Sequence, residues 1–186
     1  MGNREDLVAG ARRCLLERGY ARTTVRDIAG AAGVSMAAIG YHYGSKEALL
    51  NAALMETVRE WGDELARALS ADPGVPADRR FAATWTRVVE SFERNRPMWA
   101  VVYEVYAQID HASELRQQLV DGMREGRLGL AQLLGGIDPA RQPAEADTVG
   151  AFYQALLIGV MMQWLVDPES APTGERLAEA LRLVSG

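Results

Sequence analysis

Residues 23–50 read TTVRDIAGAAGVSMAAIGYHYGSKEALL, and their reading decides the fold. Thr24 stands where a helix N-cap is wanted, with Asp27 three residues on. Val25, Ile28, Ala29 and Ala32 recur at helical spacing, which gives a short helix one buried face. Gly33 supplies the positive φ of a sharp turn, and Val34 plugs the angle behind it. Ser35 is placed to cap a very short next helix that Ile39 anchors to the core. Met36, Ala37 and Ala38 on that helix are small or flexible, so it can approach another surface closely. Two short helices at a fixed angle are what places one of them in the major groove of DNA.

Upstream, residues 4–18 predict a first helix, with Leu7, Ala11, Cys14 and Leu15 on one stripe and Gly19 ending it. Downstream, Ser45 caps a helix whose apolar positions, from Leu49 to Leu69, sustain its period to about residue 70. Asp72, Pro73, Gly74 and Pro76 mark a loop. Helices are then predicted over 78–94, 98–109, 113–134, 144–166 and 172–184, with turns at Asn95-Arg96-Pro97, around His111, over 135–143 and at Asp167-Pro168. The expectation is an all-α chain of about nine helices. Residues 1–50 are expected to form a three-helix DNA-binding head, and a long helix joins it to a larger body, 51–186, that would space, pair and regulate the head.

Composition is compatible with this. Hydrophobic residues make up 48% of the 186, and charged residues 24%, which suits a packed core rather than disorder. The net charge of −5 argues against nucleic acid taken alone, but it is unevenly spread. Residues 1–47 carry seven basic and five acidic side chains, while the remainder carries thirteen basic and twenty acidic. The single cysteine, Cys14, allows no internal disulfide and no metal-ligand spacing, and it reads as a small buried residue. No secretory leader is evident, so a cytoplasmic location is expected.

Val149–Val166 is eighteen residues without a formal charge. A membrane span is disfavoured: Gln154 and Gln163 lie inside it, and Asp147 and Asp167 flank it where a basic cluster would stand. A helix apolar on all sides needs cover on all sides. Ala151, Ala155 and Gly159 fall four apart and make a flat face, with Phe152, Leu156 and Val160 adjoining. This helix and the final one are expected to pair with their twins as a four-helix dimer interface; the alternative is a wholly internal core helix.

The body also carries aromatic, Met and amide groups suited to a small amphipathic molecule: Trp85, Trp99, Tyr103, Tyr106, Met123, Phe152, Met161, Met162, Gln163 and Trp164. Trp99, Tyr103 and Tyr106 share a helix face, and Gly122 and Gly126 could leave room opposite them. Each is also a natural core residue. Glu104 and Gln154 interrupt apolar helices and are candidates for a polar ligand group, or for a surface or interface.

The residues Gly19-Tyr20, Thr23-Thr24-Val25, Asp27-Ile28-Ala29, Ala32-Gly33-Val34-Ser35, Ile39, Tyr41-His42-Tyr43 and Ser45-Lys46-Glu47-Ala48-Leu49 resemble the TetR/AcrR family of transcriptional regulators. The resemblance is close over residues 4–50; beyond them only helix count and length match. It implies a homodimer on a palindromic double-stranded DNA operator, released when a small effector enters the body. Most such regulators repress. By position it places Ser35, Met36, Ala37 and Ala38 at bases or nearby phosphates, Tyr41 and His42 at phosphate or base edges, and Lys46 at a phosphate. Thr24 and Arg26 open the second helix, where backbone N–H groups and the helix dipole favour phosphate. Gly40 departs from the family, which often has an aromatic there. The short recognition helix has no side chain for a bidentate guanine contact, so backbone contacts and DNA shape should weigh more.

The other classes are weaker. No G-x-S-x-G, P-loop or HExxH motif occurs, and only His42 and His111 are present, so neither an enzyme nor a cofactor is expected. An architectural or constitutive DNA-binding protein without effector control is the alternative.

Overall fold

A computed structural model describes residues 4–70, 76–107 and 113–185. Among these the chain is helical, with nine helices and no strand. They are α1 (Arg4–Arg18), α2 (Val25–Ala32), α3 (Met36–Tyr43), α4 (Lys46–Ser70), α5 (Ala77–Arg94), α6 (Arg96–Ala107), α7 (Ser113–Gly135), α8 (Pro143–Val166) and α9 (Gly174–Ser185). The heart of the loop expected after residue 70, and the turn holding His111, lie outside the described residues.

The helix ends follow from local chemistry. Gly19 (φ 86°) stops α1. Thr24 and Asp27 form a reciprocal capping box: the Asp27 N–H donates to the Thr24 hydroxyl at 3.2 Å, and the Thr24 N–H donates to Asp27 Oδ2 at 3.0 Å. Gly33 (φ 68°) closes α2, and the Val34 N–H returns to the Ala29 carbonyl at 3.0 Å. Ser35 occupies the N-cap of α3 in extended conformation, but its hydroxyl makes no capping bond. The main chain closes that turn itself, with the Ala38 N–H on the Ser35 carbonyl at 3.1 Å. Ser45 does cap α4, its Oγ accepting from the Ala48 N–H at 3.0 Å.

By packing, the chain divides into two compact units. The first takes in residues up to Glu60 and returns for Pro97–Gly122. Its core joins Leu7, Leu15, Ile28, Ile39, Leu49 and Leu50 to Val101 and Val105 of α6. The compact unit around the helix-turn-helix thus runs past residue 50. Three short helices have too little apolar face to make a core alone, and α4 and α6 complete it. Each of these buried side chains contributes roughly 1.5–3 kcal/mol. α1 and α2 cross where an added Cβ on Gly10 would sit 2.8 Å from Ala32 Cβ.

The second unit comprises Trp61–Arg96 and Met123 onward. Trp85, Val88 and Phe92 of α5 are fully buried in it. α8 lies directly on the backbone of α7: an added Cβ on Gly150 would meet the Arg127 carbonyl oxygen at 2.1 Å. The Arg127–Asp147 ion pair (3.0 Å) stands beside that crossing. Gly174 brings the start of α9 equally close to the Ala82 carbonyl of α5. The Trp61 indole N–H donates to Ser91 Oγ at 3.0 Å, so a buried polar pair is satisfied.

α8 is long and apolar enough, by length and composition, to cross a membrane. One row of it, Ala146, Gly150, Leu157, Val160, Met161 and Trp164, is buried in the second unit. Another row, Phe152, Ala155, Gly159, Gln163 and Val166, is exposed.

Candidate nucleic-acid interface

The capping box leaves Thr24 and Arg26 exposed at the start of α2. The turn at Gly33 then leaves Ser35, Met36, Ala37 and Tyr41 exposed along α3, while Ala38 and His42 are half-buried. Met36 is 53% and Tyr41 86% exposed, unusual for large apolar side chains that nothing requires outside. The Tyr41 and His42 rings meet edge-on, with centroids 4.9 Å apart.

Lys46 sits on the first turn of α4, where its Nζ donates to the Thr23 carbonyl at 3.1 Å and lies 3.3 Å from Glu47. Thr23 is itself buried, its hydroxyl donating to the Gly19 carbonyl at 2.7 Å. Lys46 therefore joins α4 to the loop before α2 and keeps part of its ammonium free.

The electrostatics of the α2 start are set by Asp27. The Thr24 hydroxyl and N–H, then Arg18 at 3.0 Å and Arg26, hold its carboxyl below the usual range. Burial, with a smaller push from Glu47, drives the Tyr20 phenol up to about 12, against the opposing bond from its hydroxyl to Asn51. Tyr20 is thus a neutral structural post under the loop.

A second basic surface was not singled out by sequence reasoning. Arg4, Arg12, Arg13 and Tyr43, with Val8, Ala9, Glu5 and Glu56, line an open depression of about 640 Å³. The Arg4 guanidinium lies 5.0 Å from the Tyr43 ring centroid, and its Nε donates to the Tyr43 hydroxyl at 3.2 Å. Arg12 pairs with Glu60, and Arg13 donates to the Ala31 carbonyl at the end of α2. The cluster of arginines was visible in sequence; that Arg4 stacks on the last residue of α3 was not.

The candidate effector residues divide between the units. Trp99, Tyr103 and Tyr106 belong to the first; Trp85, Met123, Phe152, Met161, Met162, Gln163 and Trp164 belong to the second. Trp85 and Trp99 are buried, as are Met161 and Trp164. Tyr106, Met123 and Met162 are half-buried, and burial raises the Tyr106 phenol. Tyr103, Phe152 and Gln163 are exposed. Gln163 donates back to the Gly159 carbonyl of its own helix at 3.2 Å. Within the second unit Trp85 neighbours Phe81, and Phe92 neighbours Trp164, with centroids 6.2 and 5.8 Å apart. The Trp85 indole N–H is buried without a hydrogen-bond partner, a donor facing the interior. Two depressions of this unit, about 470 and 150 Å³, are lined by Arg80, Thr84, Arg87, Leu133 and Leu134 and by Trp61, Glu64, Glu90 and Arg94 among others; neither includes a candidate effector residue.

The two polar interruptions noted in sequence are both engaged. The Gln154 amide donates to the Met123 carbonyl at 2.9 Å within the second unit. The Glu104 carboxylate accepts from the Tyr20 and Ala21 N–H groups at 2.8 and 2.9 Å within the first.

Comparison with known proteins agrees with this geometry. Residues 7–53 match the family described as bacterial regulatory proteins, tetR family, and residues 77–184 match the C-terminal domain of BetI-type transcriptional repressors. The chain is 29% identical over 175 residues to the regulator TtgR of Pseudomonas putida, covering 90% of this chain and 82% of that one. It is 39% identical over 79 residues to the repressor AcnR of Corynebacterium glutamicum, covering 38% and 42%. The multidrug binding protein EbrR complexed with imidazole has the same fold, with a TM-score of 0.69 at 22% identity over 96% of this chain and 92% of that one. A transcriptional regulator from Saccharomonospora viridis in complex with choline superposes with a TM-score of 0.58 at 22% identity, covering 96% and 93%. With a capped helix-turn-helix at its head and both halves matched, the chain belongs to the TetR family of DNA-binding transcriptional regulators.

Proposed function

We propose that the chain is a ligand-responsive repressor that binds a palindromic operator in the cytoplasm as a homodimer and is released by a small hydrophobic or amphipathic effector. The observation that carries this reading is the exposed face of α2 and α3, with Thr24, Arg26, Ser35, Met36, Ala37 and Tyr41 presented beside Lys46. Phosphate contacts from Thr24, Arg26, Tyr41, His42 and Lys46 supply most of its affinity, and Met36, Ala37 and Ala38 let the helix seat deeply in the groove. With no bidentate base reader on α3, half-site spacing in the dimer sets much of the specificity.

The dimer reading is supported by the exposed row Phe152, Ala155, Gly159, Gln163 and Val166 on α8, and by Leu183 and Val184 on α9, 74% and 81% exposed. Ala151 and Leu156 flank the row half-buried, and Val160 packs in the core of its own unit at 1% exposure. A bare row that is apolar but for Gln163, on a helix this hydrophobic, calls for a second copy. The effector reading is supported by the aromatic interior and the unpartnered Trp85 N–H. It also draws on relatives whose names record ligands, a multidrug binding protein and a choline complex.

The test is a duplex selected from a random pool by the purified protein, followed by a thermal-shift screen of hydrophobic metabolites and drugs. A compound that raises the melting temperature and weakens duplex binding supports the reading. Intact duplex binding with no such compound makes the chain a constitutive regulator.

A further inference from the structure

We propose that Glu104 is a positioning residue for the DNA-binding surface: its carboxylate on α6 clamps the α1–α2 loop and so sets where Thr24 and Lys46 stand. The inference rests on the reading of those two residues as phosphate contacts.

Glu104 lies 84 and 83 residues from Tyr20 and Ala21 in sequence, yet each carboxylate oxygen takes one of their N–H groups, Oε2 from Tyr20 at 2.8 Å and Oε1 from Ala21 at 2.9 Å. Two adjacent peptide N–H groups on one carboxylate are charge-assisted bonds of fixed direction. The approach depends on Gly19. Its φ is +86°, and a Cβ there would lie 2.8 Å from Glu104 Oε2. The loop is thus built to receive a carboxylate.

From that clamp, two short paths reach the DNA side. The Thr23 hydroxyl bonds back to the Gly19 carbonyl at 2.7 Å, and the Thr23 carbonyl receives Lys46 Nζ at 3.1 Å. The next residue, Thr24, is the α2 cap. The core does not need the clamp to hold the loop's anchor, because the Tyr20 side chain is 4% exposed and its hydroxyl bonds Asn51 at 2.9 Å. What the carboxylate adds is direction of the backbone between that anchor and the cap. Glu104 is the only charged side chain of α6 beyond its first turn, and both of its oxygens are engaged by the loop.

The test is a double-mutant cycle on the full chain, read as affinity and salt slope for the duplex selected by the wild-type protein. Glu104→Gln keeps the shape but turns an amide NH₂ towards one of the two N–H groups. It is expected to weaken binding about tenfold and to lower the salt slope by about one. In a Lys46→Ala background the same change is expected to cost about twofold or less, because only the Thr24 contact is left for it to position. Amide exchange should rise at Tyr20 and Ala21. Where Glu104→Gln fails to give a wild-type helical spectrum, Glu104→Asp, which keeps the charge but stops one methylene short, is read the same way. Where Lys46→Ala itself lowers the slope, equal losses in both backgrounds overturn the proposal; unchanged affinity for Glu104→Gln overturns it in every case. A Lys46→Ala variant with an unchanged slope removes Lys46 alone from the phosphate contacts. The proposal then stands on Thr24, and Glu104→Gln must still weaken binding while raising exchange at Tyr20 and Ala21.

Discussion

Lys46 Nζ donates to the carbonyl oxygen of Thr23 at 3.1 Å, tying the first turn of α4 to the residue before the α2 cap. The ammonium has three donors, and one is spent here. The side chain is therefore held in place in the free protein, and the phosphate contact proposed for it would need no ordering on binding. Lys46→Ala should weaken binding to every duplex by a similar factor and reduce the salt slope by about one. It should also cost the free protein about 0.5–1.5 kcal/mol, from the lost bond to Thr23. Anisotropy titrations at several salt concentrations, with chemical denaturation, separate the two effects. Base-dependent losses would make Lys46 a reader of sequence.

Thr24 and Asp27 cap α2 reciprocally, so removing the hydroxyl acts on both. Thr24→Ala should destabilise the protein by about 1 kcal/mol. It should also let the Asp27 carboxyl titrate nearer its ordinary value, because the Thr24 hydroxyl is the largest cause of its depression. The sign follows from linkage. A carboxyl depressed in the folded state adds stability that is present above its unfolded value and is lost as pH falls through the folded one. The wild-type advantage over Thr24→Ala should therefore narrow below about pH 4, the ordinary range of an aspartate. Denaturation midpoints from pH 7 to pH 3 check this, and a gap constant over that range would show that Asp27 owes its depression to the Thr24 N–H and Arg18, which the substitution leaves in place.

Much of the head was legible in sequence because its instructions are local. Thr24, Asp27, Gly33 and Ser45 each act within four residues, and each behaves as its position predicts. Ser35 shows the limit even there. The residue type marks the helix start, but whether the hydroxyl bonds depends on a turn that the backbone had already closed. Glu104 could be noticed as a charge in an apolar helix, yet its partners lie more than 80 residues away and are backbone groups, which carry no sequence signature. α8 is the opposite case. It is apolar all round, so periodicity could not say that Val160 faces its own core while Gly159 faces out.

Gly150 and Gly40 look alike in sequence, as single glycines inside helices, but the packing around them predicts opposite responses to alanine. At Gly150 a Cβ would meet the Arg127 carbonyl oxygen at 2.1 Å, and that oxygen belongs to the backbone of α7. Gly150→Ala must push α8 off α7 and should cost about 1–3 kcal/mol. At Gly40 nothing lies within 4 Å of the added carbon. Gly40→Ala should therefore stabilise α3 by about 0.5–1 kcal/mol, the helix propensity gain alone. Thermal denaturation of the two variants side by side decides it, and a destabilised Gly40→Ala would mean that α3 needs backbone freedom at that point.

Gly159 tests the proposed dimer without touching the fold of the monomer. It stands in the exposed row of α8, with open space around it in the single chain. A large charged residue there has room in one chain and none where two copies of α8 lie close together. Gly159→Arg should leave helical content unchanged and convert a wild-type species of twice 20.3 kDa into one of 20.3 kDa at micromolar concentration by sedimentation. Duplex binding should fall far more than the loss of any single phosphate contact allows. Two heads joined by an interface bind the second half-site at high effective concentration, whereas separate heads must each bind alone. The size of that fall measures how much of the operator affinity comes from linkage. A variant that sediments as a dimer would move the interface off this face of α8, and one that is monomeric yet binds the duplex as tightly would show that a single head is sufficient.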